Sequence, residues 1–125
     1  MSKKILFVED EEALQRALGD MLTQEGFEVL QATDGEAGLA SARKHLPDLV
    51  LLDLVLPKKS GFEVLQELKA DAATKNIPII VLTNLEGSED VERALTNGAT
   101  TYLVKANYSI NDVVAKIRGV LEHVS

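Results

Sequence analysis

The chain has 125 residues, no cysteine and a formal net charge of -7 at pH 7. This length suits a single domain whose hydrophobic core is large enough to be stable without disulfides or a structural metal. The lack of cysteine excludes disulfides, thiolate metal sites and cysteine nucleophiles. The negative charge argues against binding to nucleic acid, because phosphates need Lys and Arg to offset them. The sequence has no apolar run near the roughly 20 residues of a membrane span and no room for a signal peptide before its first apolar run, so we expect a cytoplasmic protein.

Short apolar runs alternate along the chain with apolar residues at helical spacing. The predicted strands are residues 4–8, 27–31, 49–53, 79–83 and 100–105. The predicted helices run from the acids at 9–12 to a C-cap at Gly26, from about 35 to 46, from the S-x-x-E capping box at Ser60, from about 88 to 97, and from 110 to 124. In the fourth helix, Val91, Ala94 and Leu95 are predicted to face inward.

The alternation of strands and helices predicts an α/β fold with a parallel sheet that is covered by helices on both faces. Right-handed crossovers then place the carboxyl ends of all five strands at one edge of the sheet. The run 49–52 is apolar at every position, as is typical of an inner strand. Asp53 follows it directly and therefore lies where ligands of open α/β sheets bind.

Five chemically active side chains are predicted to meet at that edge, because they stand at the ends of four of the strands: Glu9, Asp10, Asp53, Thr83 and Lys105. Each has an ordinary explanation by itself, such as acids favouring a helix N-terminus. Clustered carboxylates raise one another's pKa unless a cation offsets them. Lys105 supplies one positive charge, and the all-oxygen ligand set favours Mg²⁺ for the rest. A carboxylate, a hydroxyl, an ammonium and a hard cation suit phosphoryl transfer, with Asp53 as the nucleophile.

The whole chain, residues 1–125, resembles the receiver domain of bacterial two-component response regulators, with no output domain. The matching residues are the acidic pair Glu9-Asp10, the acceptor motif ending in Pro57, and Gly61, Thr83, Tyr102 and Lys105. The resemblance implies a flavodoxin-like (βα)5 three-layer sandwich with sheet order 2-1-3-4-5. It also implies a phosphoacceptor rather than an enzyme, which takes its phosphoryl group from a sensor histidine kinase or a phosphotransfer protein.

The resemblance also assigns roles to residues. Asp53 would carry the phosphoryl group, and Mg²⁺ would be bound by Asp10, Asp53 and the backbone carbonyl of Val55, with Glu9 assisting through water. Thr83 and Lys105 would contact the phosphoryl oxygens. Thr83 and Tyr102 would then shift as a switch. The fourth helix, fifth strand and fifth helix would form the face that binds a downstream protein or a second copy of the chain.

Three residues depart from the family pattern. Ala106 stands where a proline usually follows the lysine, and we expect a trans bond there because a non-proline cis bond costs about 2.5–4 kcal/mol. Asn84 replaces a smaller residue after Thr83 and is predicted to fill part of the entrance to the site. The acidic pair begins with Glu9 rather than Asp, a variant that keeps Asp10.

Two apolar residues carry a kinetic hypothesis. In the family, the residues two after the acceptor and two after the threonine influence hydrolysis of the phosphoryl group, and here they are Val55 and Leu85. Neither can hydrogen-bond an attacking water, which favours slow self-dephosphorylation. Simple local packing explains the two side chains equally well.

The main alternative is a Mg²⁺-dependent phosphatase with an aspartyl nucleophile. Such enzymes carry a second Asp two residues after the nucleophile, where this chain has Val55. A flavin-binding module of the same architecture is a third reading, but acids stand where its phosphate-binding loop would be. A fourth is a degenerate receiver that only binds proteins, which the retained Asp10, Asp53, Thr83 and Lys105 argue against.

Overall fold

The computed structural model describes residues 2–123. Its strands are β1 (Lys4–Val8), β2 (Glu28–Ala32), β3 (Leu49–Leu52), β4 (Ile79–Thr83) and β5 (Thr101–Val104). Its helices are α1 (Glu12–Gln24), α2 (Gly35–His45), α3 (Gly61–Ala70), α4 (Ser88–Thr96) and α5 (Ile110–Glu122). All neighbouring strands are parallel, in the order β2-β1-β3-β4-β5, which confirms the predicted fold class and strand order.

The helices cover the sheet on both faces, because successive side chains of an inner strand point to opposite faces. In β3, Val50 and Leu52 pack with buried residues of α2, α3 and α4, whereas Leu49 and Leu51 pack with buried residues of α1 and α5. All four are fully buried. The result is a three-layer sandwich with one core on each side of the sheet, which fixes β3 in its centre.

The ends of several elements differ from the sequence prediction. Strand β2 begins at Glu28 and reaches Ala32, and β5 is shorter than predicted because Lys105 begins a 3-10 turn, Lys105–Asn107. Helix α3 begins after Ser60, whose side chain accepts a hydrogen bond from the Glu63 amide, as the capping motif predicted. Helix α5 is described as far as Glu122, and the predicted end at Val124 lies outside the described residues.

Helix α4 is the element whose predicted inner face is partly wrong. Ala94 is fully buried and Val91 is half-buried, but Leu95 is 45% exposed. The helix contacts β5 at one edge of the sheet, and among its residues Ala94 alone is buried. The apolar side of α4 is therefore wider than the core requires.

Two glycines let helices approach the strand ends closely. A Cβ on Gly38 of α2 would lie 2.8 Å from a methyl group of Val8. A Cβ on Gly61 would lie 2.1 Å from the carbonyl oxygen of Asp53. These approaches place α2 and α3 directly against the strands that lead into the predicted site.

Among residues 2–123, there is no helix with the length and apolarity that crossing a membrane requires.

Candidate functional site

The carboxyl ends of β1, β3 and β5 bring acidic residues and a lysine together around a small cavity, which we call the acidic pocket. Its volume is about 220 Å³. The residues that line it are Glu9, Asp10, Glu11, Asp53, Val55, Asn84 and Lys105. The parallel sheet brings these residues together from loops that lie far apart along the chain. Glu9, Asp10, Asp53 and Lys105 are among the residues that the sequence predicted at this edge.

Asp53 is fixed by both its backbone and its side chain. Its N–H donates to the carbonyl of Val8 at 3.1 Å, which ties the residue to the end of β1. Its Oδ1 accepts from the Val55 amide at 3.2 Å, and its Oδ2 accepts from Nζ of Lys105 at 3.0 Å. The side chain is only 5% exposed. One carboxylate is thus held at the rim of the core with its oxygens directed into the pocket.

Lys105 is the cation of the acidic pocket, and its ammonium group is saturated. Its Nζ donates to Glu9 Oε2 at 3.1 Å, to Glu11 Oε2 at 3.2 Å and to Asp53 Oδ2 at 3.0 Å. An ammonium has three hydrogens, so all of them are in use. Burial lowers the pKa of Lys105, but the hydrogen bonds to Glu9 and Asp53 outweigh burial and raise that pKa overall. The ammonium is therefore charged throughout the physiological range.

Glu9 is fully buried beside this lysine. Burial raises its pKa to about 7, even though the hydrogen bond from Lys105 acts in the opposite direction and the charge of Asp53 adds to the rise. Its Oε1 lies 2.9 Å from Nζ of Lys105, an ion-pair distance, but the hydrogen bond from the lysine goes to Oε2 at 3.1 Å. The pocket thus holds more carboxylate charge than one lysine offsets.

Three carboxylates of the pocket could hold a divalent cation. One oxygen each from Glu9, Asp10 and Asp53 lies within 4.8 Å of the other two. Asp10 is exposed, so a cation could enter from solvent. The buried Oε1 of Glu9 shares the charge of Lys105 with Glu11 and Asp53 and accepts no hydrogen bond, so a second positive charge would stabilise it. An all-oxygen set of this kind fits Mg²⁺, which binds carboxylates and keeps several of its waters.

The predicted switch residues, Thr83 and Tyr102, both bond the backbone of Leu85. Thr83 is fully buried, and its hydroxyl accepts from the Leu85 amide at 3.4 Å. The half-buried Tyr102 donates its hydroxyl to the Leu85 carbonyl at 2.8 Å. Burial raises the pKa of Tyr102, with the charges of Asp90 and Asp53 adding to the rise. In this state Thr83 bonds the loop after β4 and is not among the pocket-lining residues.

The family departures have definite places in the structure. Ala106 lies in the 3-10 turn after β5, and residues 2–123 contain no cis peptide bond, as predicted for this position. Asn84 is exposed and lines the pocket, in agreement with its predicted place at the entrance. Val55 is 56% exposed at the same rim, so its apolar side chain faces the space above Asp53 rather than the core.

Two residues at the site escaped the sequence prediction. Glu11 contacts Lys105, although four consecutive acids at 9–12 gave no reason to choose it. Gln15 of α1 is only 6% exposed, and the two hydrogens of its Nε2 are shared among the carbonyls of Phe7, Glu9 and Ala32, which lie 3.0–3.1 Å away. The sequence could have indicated Gln15, because a polar residue at an inward-facing helical position needs buried hydrogen-bond partners. Gln15 holds together the ends of β1 and β2 from which the acidic pair projects.

Comparisons with known proteins agree with this geometry. The family model for the response regulator receiver domain matches residues 5–118. The response regulator PleD of Caulobacter vibrioides is 42% identical over 120 residues, which cover 94% of this chain and 26% of PleD. The chain therefore spans about a quarter of the length of that relative.

Solved structures of similar chains share the fold. A CheY-like receiver domain protein from Methanospirillum hungatei has a TM-score of 0.91 at 29% identity, covering 98% of this chain and 95% of that one. The receiver domain of the sensor histidine kinase PA1611 from Pseudomonas aeruginosa, solved with a magnesium ion in its active site cleft, has a TM-score of 0.84 at 29% identity, covering 99% and 98%. The likeness in sequence and in structure extends over nearly the entire chain, which belongs to the family of response regulator receiver domains.

Proposed function

We propose that this receiver domain accepts a phosphoryl group on Asp53 from a phosphohistidine of a sensor kinase or a phosphotransfer protein. The observation that carries the proposal is the contact of 3.0 Å between Asp53 Oδ2 and Nζ of Lys105, inside a pocket where Glu9 and Asp10 add two further carboxylates. A nucleophilic carboxylate beside a fixed positive charge is the arrangement that phosphoryl transfer needs.

The transfer replaces one bond to phosphorus by another. An oxygen of Asp53 attacks phosphorus, the bond from phosphorus to the histidine nitrogen breaks, and its electron pair stays on the imidazole, which leaves neutral if its other nitrogen is protonated. Lys105 offsets charge on the phosphoryl oxygens, and the hydrogen bonds from the Val55 amide and from Lys105 hold the Asp53 carboxylate in a fixed position. Mg²⁺, held by Glu9, Asp10, Asp53 and the backbone carbonyl of Val55, would supply further positive charge to those oxygens.

The direct test is intact-mass spectrometry after incubation with acetyl phosphate and Mg²⁺. We expect one added phosphoryl group in the wild-type chain and none in Asp53→Ala. Asp20→Ala is the matched control, since Asp20 is an exposed aspartate of α1 outside the acidic pocket. A phosphoryl group that persists in Asp53→Ala would refute the assignment of the acceptor.

Metal binding has a separate readout in the stability of the fold. A ligand at ten times its dissociation constant stabilises the native state by about 1.4 kcal/mol. We expect Mg²⁺ to raise the free energy of unfolding in urea for the wild-type chain and to have a much smaller effect on Asp10→Asn. Equal stabilisation of both chains would place the ion elsewhere.

Phosphorylation is proposed to act on partners through Leu85. Thr83 and Tyr102 both bond this residue, so a hydroxyl that turns toward the phosphoryl group would release the Leu85 amide and loosen the loop that Tyr102 holds. That loop leads into α4, and the face of α4, β5 and α5 would then change its affinity for a downstream protein or a second copy. Size-exclusion and binding measurements with and without acetyl phosphate test this step.

A phosphatase with Asp53 as nucleophile is the alternative. Val55 occupies the position of the general acid in such enzymes and can donate no proton, although its side chain lines the pocket. We therefore expect a single phosphorylation of each chain rather than sustained release of phosphate from small phosphomonoesters. Multiple turnovers at a rate abolished by Asp53→Ala would favour the phosphatase instead.

A further inference from the structure

Glu11 is the one carboxylate bonded to Lys105 that the proposed function does not use. Its Oε2 lies 3.2 Å from Nζ of Lys105, and the residue lines the acidic pocket. The side chain of Glu11 is 55% exposed, whereas the side chains of Glu9 and Asp53 are 0% and 5% exposed. The Glu11 carboxylate can therefore exchange its contact with Lys105 for water. The carboxylates of Glu9 and Asp53 cannot reach water without leaving their buried positions.

Helix stability does not account for the direction of the Glu11 side chain. Glu11 occupies the N-cap position of α1, where a side-chain oxygen normally accepts from an amide of the first turn. Here the side chain makes no such bond. By contrast, Asp34 and Ser60 cap their own helices through their side chains. The Glu11 backbone N–H donates to Glu9 Oε2 at 3.0 Å, so the buried Glu9 fixes the position from which Glu11 reaches the lysine.

Because Lys105 has no free hydrogen, its bond to Glu11 affects what else the lysine can bind. Its three hydrogens are bonded to Glu9, Glu11 and Asp53, so a phosphoryl oxygen on Asp53 can be bonded by Lys105 only if one of these acceptors leaves. Glu11 is the exposed one. Its charge at the rim of the pocket also repels an anionic phosphodonor, by an interaction that salt screens.

We propose that Glu11 is a positioning residue that competes with the incoming phosphoryl group for Lys105 and thereby slows phosphorylation of Asp53 by small anionic donors. The inference rests on the proposed function and deepens it. With acetyl phosphate, an Asp53 oxygen forms a bond to phosphorus, the bond from phosphorus to the acetyl oxygen breaks, and acetate leaves with the electron pair. Glu11 takes no part in these bonds and acts only through Lys105 and through its charge.

The test is the initial rate of phosphorylation by acetyl phosphate and Mg²⁺, followed by intact-mass spectrometry for the full chain. At low ionic strength we expect Glu11→Gln to react about threefold to fivefold faster than wild type, the upper part of the range that one partly exposed charge pair gives. At about 1 M salt, where charges are screened beyond roughly 3 Å, we expect the ratio to fall below about twofold. A change in rate that comes only from altered structure would not show this dependence on salt.

The neighbouring acid supplies a matched control. Glu12→Gln removes the same formal charge one residue along, but the Glu12 side chain is 88% exposed and pairs with Arg16 at 3.1 Å. We expect its rate to stay within about 1.5-fold of wild type, because this exposed charge makes no contact with Lys105 and is already offset by Arg16. Glu11→Asp keeps the charge but shortens the reach to Lys105, and its rate should fall between those of wild type and Glu11→Gln.

The outcomes separate this inference from the function on which it rests. If the wild-type chain takes no phosphoryl group, the proposed function fails. If the wild-type chain and Glu12→Gln react but Glu11→Gln is no faster than they are, or its gain does not fall with salt, only the role of Glu11 is refuted. Urea unfolding of Glu11→Gln verifies that the variant is folded in each case.

Discussion

Gly61 is the position where a single added methyl group should damage both the fold and the site. A Cβ there would lie 2.1 Å from the carbonyl oxygen of Asp53 and 2.6 Å from Cα of Leu54. Both atoms belong to the backbone, so no change of rotamer relieves the overlap. In Gly61→Ala the start of α3 has to move by about 1 Å away from the loop that carries Asp53, the proposed phosphoacceptor.

The magnitude follows from the contacts that this movement disturbs. Overpacking of this kind costs about 1–3 kcal/mol. The movement also stretches the hydrogen bond from the Gly61 amide to the Leu54 carbonyl, which is 3.0 Å long and contributes about 1 kcal/mol. Alanine returns part of the loss through its higher helix propensity. We therefore expect Gly61→Ala to lower the free energy of unfolding by about 2–3 kcal/mol.

Gly119 provides the same substitution in an open environment. It lies inside α5, and a Cβ there would meet no atom within 4 Å. Gly119→Ala should raise the free energy of unfolding by about 0.5–1 kcal/mol, because alanine loses less backbone entropy in a helix. Urea denaturation of the wild type and the two variants measures both changes. A loss below about 1 kcal/mol in Gly61→Ala, or a change of the same sign in both variants, would refute the steric explanation.

Three other substitutions test single contacts around the site. Gln15→Leu should lower the free energy of unfolding by about 2–3 kcal/mol, because three backbone carbonyls lose a buried donor; a urea-measured loss under 1 kcal/mol would contradict the importance of that amide. Tyr102→Phe should cost about 1 kcal/mol in the same assay by removing the 2.8 Å bond to the Leu85 carbonyl, and no change would mean that water replaces the hydroxyl without loss. Val55→Asn should speed the loss of phosphate from the phosphorylated chain, because an amide can hydrogen-bond an attacking water at the exposed rim; an unchanged or slower loss would leave Val55 a merely local packing residue.

The sequence predicted the inner strands better than the edge strand, for a physical reason. The predicted strand 79–83 matches β4, and the predicted strand 49–53 is only one residue longer than β3, because strands that are buried on both faces are apolar at every position. At the edge, β2 was predicted one residue too early, since its side chains are only partly buried and their alternation is weak. The location of the site was predictable because a parallel sheet brings the carboxyl ends of all its strands to one edge.

The individual hydrogen bonds between side chains from distant segments could not be predicted from the sequence. Glu11 and Lys105 are separated by 94 positions, and their bond depends on a buried Glu9 that fixes the Glu11 backbone. The residue type gave no signal, because an acid at the start of a helix already has an ordinary explanation in the helix dipole. The same holds for Thr83, whose hydroxyl bonds the Leu85 amide in this state. Residue types and strand order predict which side chains come together. Which hydrogen bonds those side chains form depends on their burial and on how many acceptors share each donor.

Leu95 shows where reasoning from periodicity fails and what the failure means. Helical spacing placed it inward with Val91 and Ala94, yet it is 45% exposed while Ala94 is fully buried. An apolar stripe that packs against the protein's own core and one that packs against a partner have the same spacing, so the pattern cannot separate them. A single exposed leucine is ordinary on a protein surface. Leu95, however, lies on α4, the helix that follows the loop held by Thr83 and Tyr102, so its exposure supports placing the proposed partner-binding face there.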